Sequence, residues 1–397
     1  MFNTQNSFHV TVKPIGAECN LACQYCYYLH KKETLCSRGR MDDATLEAFV
    51  RQYIESQPTD TVFFTWHGGE PTLLGVDFFK KAVLLQQKYA NGKRIENDIQ
   101  TNGLFLDETW GQFLKENRFL VGLSIDGPAD LNHWRATAQG KNSTEGVIKA
   151  AMLLKKFDIP FNTLTVVHYE NAKRPLDVYR FLKDVVGSRH MQFIPCVEPK
   201  NFTTVAPLTW DSKKLPVQGT PAAYPGQADS FVTDWTVDPR DWGKFLVAVF
   251  DEWYAKDQGD VFVYLFENFL SLWLGRGAQS CVFDEKCGHA MALDRDGSVY
   301  ACDHFCYPEY KYGNIKYQPL SEIGQGEAKE KFSALKQKLP AQCLNCIWKT
   351  KCYGECPKKR FLKTTYGEPG LNYLCEGYKF FFEQVNRKML DLCRKYG

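Results

Sequence analysis

Residues 19–26 of the chain read CNLACQYC, and two tyrosines follow at once. The three thiols of this motif belong to Cys19, Cys23 and Cys26, and the motif holds no fourth. Thiolates bind zinc and iron–sulfur clusters, and both kinds of centre normally take four protein ligands. The trio therefore predicts either a structural role, as buried thiols or as a zinc site completed by His30, or a 4Fe–4S cluster in which one iron keeps an open position. Because a substrate or cofactor can bind at an open position, the second interpretation predicts an enzyme.

Composition narrows the possible classes of protein. A chain of 397 residues predicts two or three domains, and a formal net charge of +3 gives no indication of a nucleic-acid or membrane partner. The first residues lack a basic segment followed by an apolar one, and no run of 18 apolar residues occurs, so we expect a cytoplasmic protein without a signal peptide or membrane span. In such a chain, 15 cysteines favour metal binding over disulfides.

The first half alternates short apolar runs, rich in β-branched and aromatic residues, with helical patterns such as those at residues 42–56 and 76–90. The apolar runs lie at residues 8–14, 61–69, 95–103, 119–127, 159–167 and 190–197. This alternation predicts an α/β fold with a parallel sheet and crossover helices. Six repeats predict a partial (β/α)6 barrel, in which ligands bind at the carboxyl ends of the strands.

The predicted domains are residues 1–235, which contain the barrel and an irregular insertion at about 198–238, and residues 236–397. The second domain begins with a helix for which Asp238 is the predicted N-cap. From residue 281 the chain is rich in cysteine, and an Asp-Gly pair at 296–297 predicts a β-hairpin.

The CX₃CX₂C spacing, with an aromatic residue after the last cysteine and a strand before the first, resembles the radical S-adenosylmethionine (SAM) enzymes. The resemblance implies that Cys19, Cys23 and Cys26 hold a 4Fe–4S cluster whose open iron is chelated by the amino and carboxylate groups of SAM. It further implies that one electron from the cluster cleaves SAM, and that the resulting 5′-deoxyadenosyl radical takes a hydrogen atom from the substrate.

Three further segments, HGGEP (67–71), QTNG (100–103) and SIDG (124–127), end the next predicted strands and resemble SAM-contacting segments of that family. Each alone is also typical of a turn, but together, in order at strand ends, they favour a SAM site. The resemblance implies that Glu70 holds the SAM amino group, that Ser124 lies near the ribose and that Arg135 approaches the SAM carboxylate. The implied cofactor-binding residues are Gly68, Gly69, Glu70, Thr101, Asn102, Ser124, Asp126 and Arg135.

The C-terminal region supplies eight more thiols in a pattern that resembles the SPASM extension, which carries two auxiliary 4Fe–4S clusters. The residues alone leave a pair of zinc ribbons as an alternative. With the resemblance, the chain is expected to hold three 4Fe–4S clusters in all. The first auxiliary set is Cys281, Cys287, Cys302 and Cys356, and the second is Cys343, Cys346, Cys352 and Cys375. The expected ordinary thiols are Cys36, Cys196, Cys306 and Cys393.

Over nearly its whole length the chain is similar to the anaerobic sulfatase-maturating enzymes, with FTWHGGEPTL and GEPGLNYLCEGY among the matching segments. The similarity implies oxidation of a Cys or Ser in an unfolded or nascent sulfatase to Cα-formylglycine, by a monomer that receives electrons from a flavodoxin or ferredoxin. It implies that Asp303, directly after Cys302, is the catalytic base, although the residue alone also fits a solvated hairpin end. Tyr28, His67 and Gln192 match positions that line the substrate pocket.

Two other functions remain open at this point. One is another SPASM enzyme that introduces thioether or carbon–carbon crosslinks into a peptide. The other is a non-catalytic iron–sulfur electron carrier or zinc scaffold, which predicts no cleavage of SAM and does not need glycine motifs at strand ends.

Overall fold

The structure, a computed structural model, describes residues 7–35 and 39–397, so the expected ordinary thiol at Cys36 lies outside the described residues. In chain order the elements are β1 (His9–Lys13), α1 (Lys31–Thr34), α2 (Asp43–Ser56), β2 (Thr61–Trp66), α3 (Val76–Tyr89), β3 (Arg94–Thr101), α4 (Glu108–Glu116), β4 (Leu120–Ser124), α5 (Thr144–Lys156), β5 (Phe161–Val167), α6 (Pro175–Arg180), β6 (His190–Pro195), α7 (Pro239–Lys256), β7 (Phe262–Val263), α8 (Tyr264–Trp273), β8 (Ala290–Asp294), β9 (Ser298–Tyr300), β10 (Lys311–Asn314), α9 (Leu320–Gln325), α10 (Glu327–Gln337), α11 (Ala341–Leu344), α12 (Lys349–Cys352), β11 (Leu362–Lys363), β12 (Pro369–Leu371) and α13 (Cys375–Tyr396).

The chain packs as two compact units. The first comprises the described residues up to 124, together with 135–162 and 288–333, and the second comprises 125–134, 163–287 and 334–397. The domain boundary predicted at residue 235 stays a prediction.

Parallel strands form the sheet of each unit. In the first unit β1 pairs in parallel with β2, β2 with β3 and β3 with β4, while β8 lies parallel on the other side of β1. The hairpin predicted at residues 296–297 joins β8 to β9, and β10 follows antiparallel to β9. In the second unit β5, β6 and β7 are parallel. Among the described residues neither unit's sheet closes on itself, and the predicted α/β fold with parallel strands and crossover helices is confirmed.

Helix α2 shows how the sequence builds these crossovers. Asp42 caps its start by accepting a hydrogen bond from the amide of Thr45 at 2.6 Å. Phe49 and Tyr53, four residues apart and therefore on one face, are both buried. Their rings meet Phe64 of β2 edge-on, with centroids 5.7 and 5.1 Å away. The helix is thereby fixed against its sheet, which positions the loops at the strand ends.

Two helices of the second unit, α7 and α13, pack backbone against backbone. The predicted N-cap Asp238 of α7 is confirmed, since its carboxylate accepts from the amide of Arg240 at 2.8 Å. A Cβ at Gly377 in α13 would lie 2.1 Å from the carbonyl oxygen of Pro239, and one at Gly243 would lie 2.7 Å from the carbonyl oxygen of Gly377. Only glycine fits at these crossing points.

Within the part of the chain that the structure covers, no helix combines the length and the apolar character needed to cross a bilayer.

Candidate active site

The cysteine motif forms a loop directly after β1. Cys19, Cys23 and Cys26 form no disulfide within the described part of the chain, and each has intermediate exposure. The amide of Leu21 donates to Cys19 Sγ at 3.4 Å, and the amide of Cys26 donates to the carbonyl of Cys23 at 3.0 Å. Burial raises the pKa of Cys19 to about 11 and also raises the pKa of Cys26. Burial thus disfavours the thiolate forms of Cys19 and Cys26, and a bound cationic iron centre is the kind of partner that favours them.

Glycine at position 69 is required by the cysteine loop. The amide of Gly69 donates to the carbonyl of Gly16 at 2.7 Å, and the amide of Glu70 donates to the carbonyl of Glu18 at 2.8 Å. A Cβ on Gly69 would lie 1.9 Å from the carbonyl oxygen of Glu18, and Gly68 has a φ of +129°. The backbone at Gly69 therefore packs closely against the segment that leads into Cys19.

Glu70 ties the loop after β2 to the loop after β3. Its Oε1 accepts from the hydroxyls of Thr72 at 2.6 Å and Thr101 at 2.7 Å, and its Oε2 accepts from the amide of Asn102 at 2.7 Å. Burial raises the pKa of Glu70, although these hydrogen bonds act in the opposite direction. Asn102 in turn donates from Nδ2 to Oδ1 of Asn20, at 2.8 Å, inside the cysteine loop. Three predicted cofactor-binding residues thus form one network beside Cys19.

Arg135 also lies in the first unit, as does Ser124 at the end of β4. The guanidinium of Arg135 is buried and donates from Nη1 to the hydroxyl of Tyr25 at 3.0 Å. Its positive charge acts to lower the pKa values of Cys19 and Cys26 against the larger effect of burial. A cation beside the cysteine loop suits an anionic, thiolate-ligated centre.

Asp126 and Gln192 belong to the second unit. Asp126 is fully buried, and its Oδ1 accepts from the amide of Val166 at 2.9 Å. Its own amide donates to Oδ1 of Asn132 at 3.0 Å. Gln192 lies in β6 and is half-buried.

Asp303 lies in a short 3₁₀ turn after β9, and two side chains engage its two oxygens. Lys13, the fully buried last residue of β1, forms a salt bridge with Oδ1, and the hydroxyl of Tyr27 donates to Oδ2. Burial alone would raise the pKa of Asp303. The ammonium of Lys13, with lesser contributions from His67 and His304, outweighs burial and holds this pKa well below its ordinary value.

Lys13 also contacts two residues of the predicted substrate pocket. Its Nζ lies 3.9 Å from the ring centroid of Tyr28 and 3.3 Å from Nδ1 of His67. Burial first and the charge of Lys13 second lower the pKa of His67 to about 4, so its imidazole is neutral and accepts from the ammonium. The hydroxyl of Tyr28 is buried without a hydrogen-bond partner among the residues that the structure describes. The predicted base, Asp303, and two predicted substrate-pocket residues therefore meet around one lysine.

Sequence reasoning missed Lys13 and Tyr27. The available signal was a lysine that ends the apolar run FHVTVKP, where a charge has no place unless it is paired. Tyr27 stands directly after Cys26 in the sequence, but no local pattern links it to its partner Asp303, which lies 276 residues later in the chain.

The second unit groups the predicted second auxiliary set. One cavity is lined by Cys343, Cys346, Cys352 and Cys375. Burial raises the pKa of Cys375 to about 12, and it also raises the pKa values of Cys343 and Cys352. Four free thiols around one cavity are a donor set that fits a fully ligated 4Fe–4S cluster.

The predicted first auxiliary set divides between the units. Cys281, Cys287 and Cys356 lie in the second unit, and Cys302 lies in the first. Burial raises the pKa of Cys281 to about 11 and of Cys287 to about 12, while the charge of Lys336 acts to lower both. The Lys336 ammonium also donates to the carbonyl of Cys281.

Arg360 organises the backbone around these thiols. Its guanidinium donates to the carbonyl oxygens of Tyr353 at 2.7 Å, Gly354 at 2.8 Å, Glu355 at 3.0 Å and Lys336 at 2.7 Å. Burial lowers its pKa, and nearby cysteines, Cys356 and Cys352 foremost, act to raise it. A buried cation among clustered thiols again fits thiolate ligands.

The cysteines expected to be ordinary thiols are also free in the described part of the chain. Cys306 packs in the core with Ala17, Tyr28 and Tyr300, and Cys196 is buried at the end of β6. Cys393 is half-buried in α13.

Two family descriptions match the chain: "Radical SAM superfamily" over residues 14–182 and the SPASM "Iron-sulfur cluster-binding domain" over residues 281–347. A serine-type anaerobic sulfatase-maturating enzyme of Bacteroides thetaiotaomicron is 43% identical, over 95% of this chain and 89% of the relative. A cysteine-type enzyme of Clostridium perfringens is 33% identical, over 96% and 97%. The solved structure described as "Native anSMEcpe with bound AdoMet and Cp18Cys peptide" superimposes with a TM-score of 0.84 at 30% identity, covering 98% of this chain and 99% of that one.

Proposed function

The chain belongs to the family of anaerobic sulfatase-maturating enzymes, and we propose that it oxidises a serine or cysteine of a sulfatase polypeptide to Cα-formylglycine. The observation that carries the proposal is the ionised Asp303 beside the cysteine loop, paired with Lys13 and contacted by the residue that follows Cys26. Such a carboxylate can accept the proton that this oxidation releases.

The cluster ligands are proposed from the thiols described above. Cys19, Cys23 and Cys26 would hold the cluster that binds SAM, and Glu70, Arg135 and their neighbours at the strand ends would hold SAM itself. The auxiliary clusters would be held by Cys281, Cys287, Cys302 and Cys356 and by Cys343, Cys346, Cys352 and Cys375. When bound, the SAM-binding cluster and SAM supply the abstraction of one hydrogen atom from the substrate Cβ.

The residues around Asp303 supply the proton chemistry. Asp303 accepts the proton of the substrate hydroxyl or thiol, so that one hydrogen leaves as an atom, one as a proton and one electron goes to an acceptor. Lys13 keeps Asp303 ionised until that transfer, and Tyr27 fixes the orientation of its Oδ2. A serine gives the aldehyde directly, whereas a cysteine gives a thioaldehyde that water converts to the aldehyde with release of hydrogen sulfide.

Tyr28, His67 and Gln192 are proposed to line the pocket for the substrate side chain. The neutral imidazole of His67, held by Lys13 through Nδ1, can offer its other ring nitrogen to that side chain. We also propose that the substrate is an unfolded or nascent sulfatase and that a flavodoxin or ferredoxin donates the electrons. The protein would act as a monomer in the cytoplasm.

Two peptides that carry a sulfatase motif and differ only by Ser or Cys at the modified position test the proposal. Each is incubated anaerobically with reconstituted protein, reductant and SAM, and its mass is measured. We expect an aldehyde product, detected by hydrazine labelling, from at least one of the two. Cleavage of SAM without any aldehyde from either peptide would instead favour a different peptide modification.

A further inference from the structure

The loop that carries Cys343 and Cys346 exposes two large apolar side chains. Ile347 is 83% exposed and Leu344 is 50% exposed, although both lie next to a cysteine of the four-thiol cavity in sequence. A single exposed apolar residue is ordinary on a protein surface. Two within the short loop that holds Cys343 and Cys346 leave apolar surface exposed beside two of the four thiols in sequence.

The charge around this cavity is positive. Lys349 of α12 and Lys379 of α13 line the cavity together with the four thiols. Neither lysine forms a salt bridge with any carboxylate in the described part of the chain. Residues 341–354 contain no Asp or Glu. Two of the acidic groups that act on these thiols have partners elsewhere, since Glu368 accepts from the amide of Ala341 at 2.8 Å and Glu376 is paired with Arg240 at 2.7 Å.

We propose that this surface, formed by Leu344, Ile347, Lys349 and Lys379, is the docking site for an acidic one-electron carrier protein. An apolar centre with unpaired lysines beside it is complementary to a carrier whose redox group is surrounded by acidic and apolar side chains. Electron transfer slows steeply with distance, and a carrier bound here lies against the loop of Cys343 and Cys346. Encounters of this kind are small and depend on charge, so the surface does not need to be extensive. The inference rests on the proposed iron–sulfur ligation of the four-thiol cavity.

The test measures binding of a purified flavodoxin to the reconstituted full chain at low and high salt, by biolayer interferometry under anaerobic conditions. The double variant Lys349→Glu/Lys379→Glu is compared with Lys149→Glu/Lys155→Glu on α5, which changes the net charge equally at two exposed lysines. We expect the first variant to weaken binding at least about tenfold and the second to bind as the unmodified protein does. Binding of the unmodified protein should weaken as salt rises.

A second variant, Ile347→Ser, guards against loss of folding, because this side chain is 83% exposed and supports no core packing. It should weaken flavodoxin binding while iron content stays that of the unmodified protein. Equal affinity of both charge-reversal variants, or unchanged binding by Ile347→Ser, would overturn the docking site. A further outcome separates the two proposals. If the protein forms no formylglycine with dithionite as reductant but still binds flavodoxin in a charge-dependent way, the proposed function is refuted and the docking site stands.

Discussion

Asp303 meets a different partner at each of its two oxygens, an ammonium at Oδ1 and a phenol at Oδ2. Both contacts hold the carboxylate in place, but only its charge lets it take a proton. Asp303→Asn keeps the shape and removes that charge. We expect formylglycine formation to fall by about 10²–10⁴-fold, the usual contribution of a general base.

Cleavage of SAM is the control for this variant, because it uses the cysteine loop rather than the carboxylate. Quantification of 5′-deoxyadenosine should give a yield close to that of the unmodified protein. If Asp303→Asn formed formylglycine at the normal rate, the base would have to be another group, and the buried hydroxyl of Tyr28 is the next to test.

Lys13 is a buried cation whose removal would leave Asp303 unpaired. Lys13→Met should therefore lower the free energy of unfolding by about 3 kcal/mol, at the lower end for a broken buried pair because the Asp303 side chain is 28% exposed. Chemical denaturation of the two single variants and of Lys13→Met/Asp303→Asn checks this. The double variant should recover most of the loss, and additive losses would mean that the pair does not stabilise the fold.

These residues also show where sequence information ends. Asp303 could be predicted because it follows a cysteine in a recognisable pattern. Its partners could not, because an ion pair between the end of the first strand and a turn near residue 303 leaves no local periodicity. The same holds for the close contact of Gly69 with the carbonyl of Glu18, which joins two segments that are far apart in the sequence.

Among the elements, strands and helices of the first half follow their patterns closely. The run predicted at residues 159–167 became β5 at Phe161–Val167, and the helix predicted at 76–90 became α3 at Val76–Tyr89. The hairpin at 296–297 was predicted as well. Its placement beside β1 was not, since pairing between distant strands is decided by the packing of whole faces rather than by either strand's own sequence.

A substitution at Gly377 tests how closely α7 and α13 pack. Gly377→Ala would place a methyl group 2.1 Å from the carbonyl oxygen of Pro239, so the helices must separate. We expect the free energy of unfolding to fall by about 1–3 kcal/mol, as for other overpacked contacts. Urea denaturation measures it, with Glu383→Ala on the exposed side of α13 as the matched control. Equal stability of the two variants would contradict the close packing of the two backbones.

For the whole molecule, the proposed ligand sets predict about twelve iron and twelve sulfide per chain after anaerobic reconstitution. Replacement of Cys19, Cys23 and Cys26 by Ala should remove about four of each and abolish cleavage of SAM. The signals of the auxiliary clusters should remain in the electron paramagnetic resonance spectrum. Stoichiometric zinc, or 5′-deoxyadenosine from the triple variant, would be incompatible with these assignments.

The pairing of β8 with β1 has a consequence for biosynthesis. Strand β1 begins at His9 and β8 at Ala290, so at about 5–20 residues per second the ribosome releases them roughly 15–55 s apart. During that interval the nascent chain presents one side of β1 as an uncovered edge, which is a template for aggregation. The turn that holds Asp303 emerges after β8, so the sheet edge is covered shortly before Asp303 reaches Lys13. A nascent chain that stalls before residue 290 therefore keeps this edge of β1 uncovered and Lys13 without Asp303, and chaperone capture at this stage would shield the exposed edge.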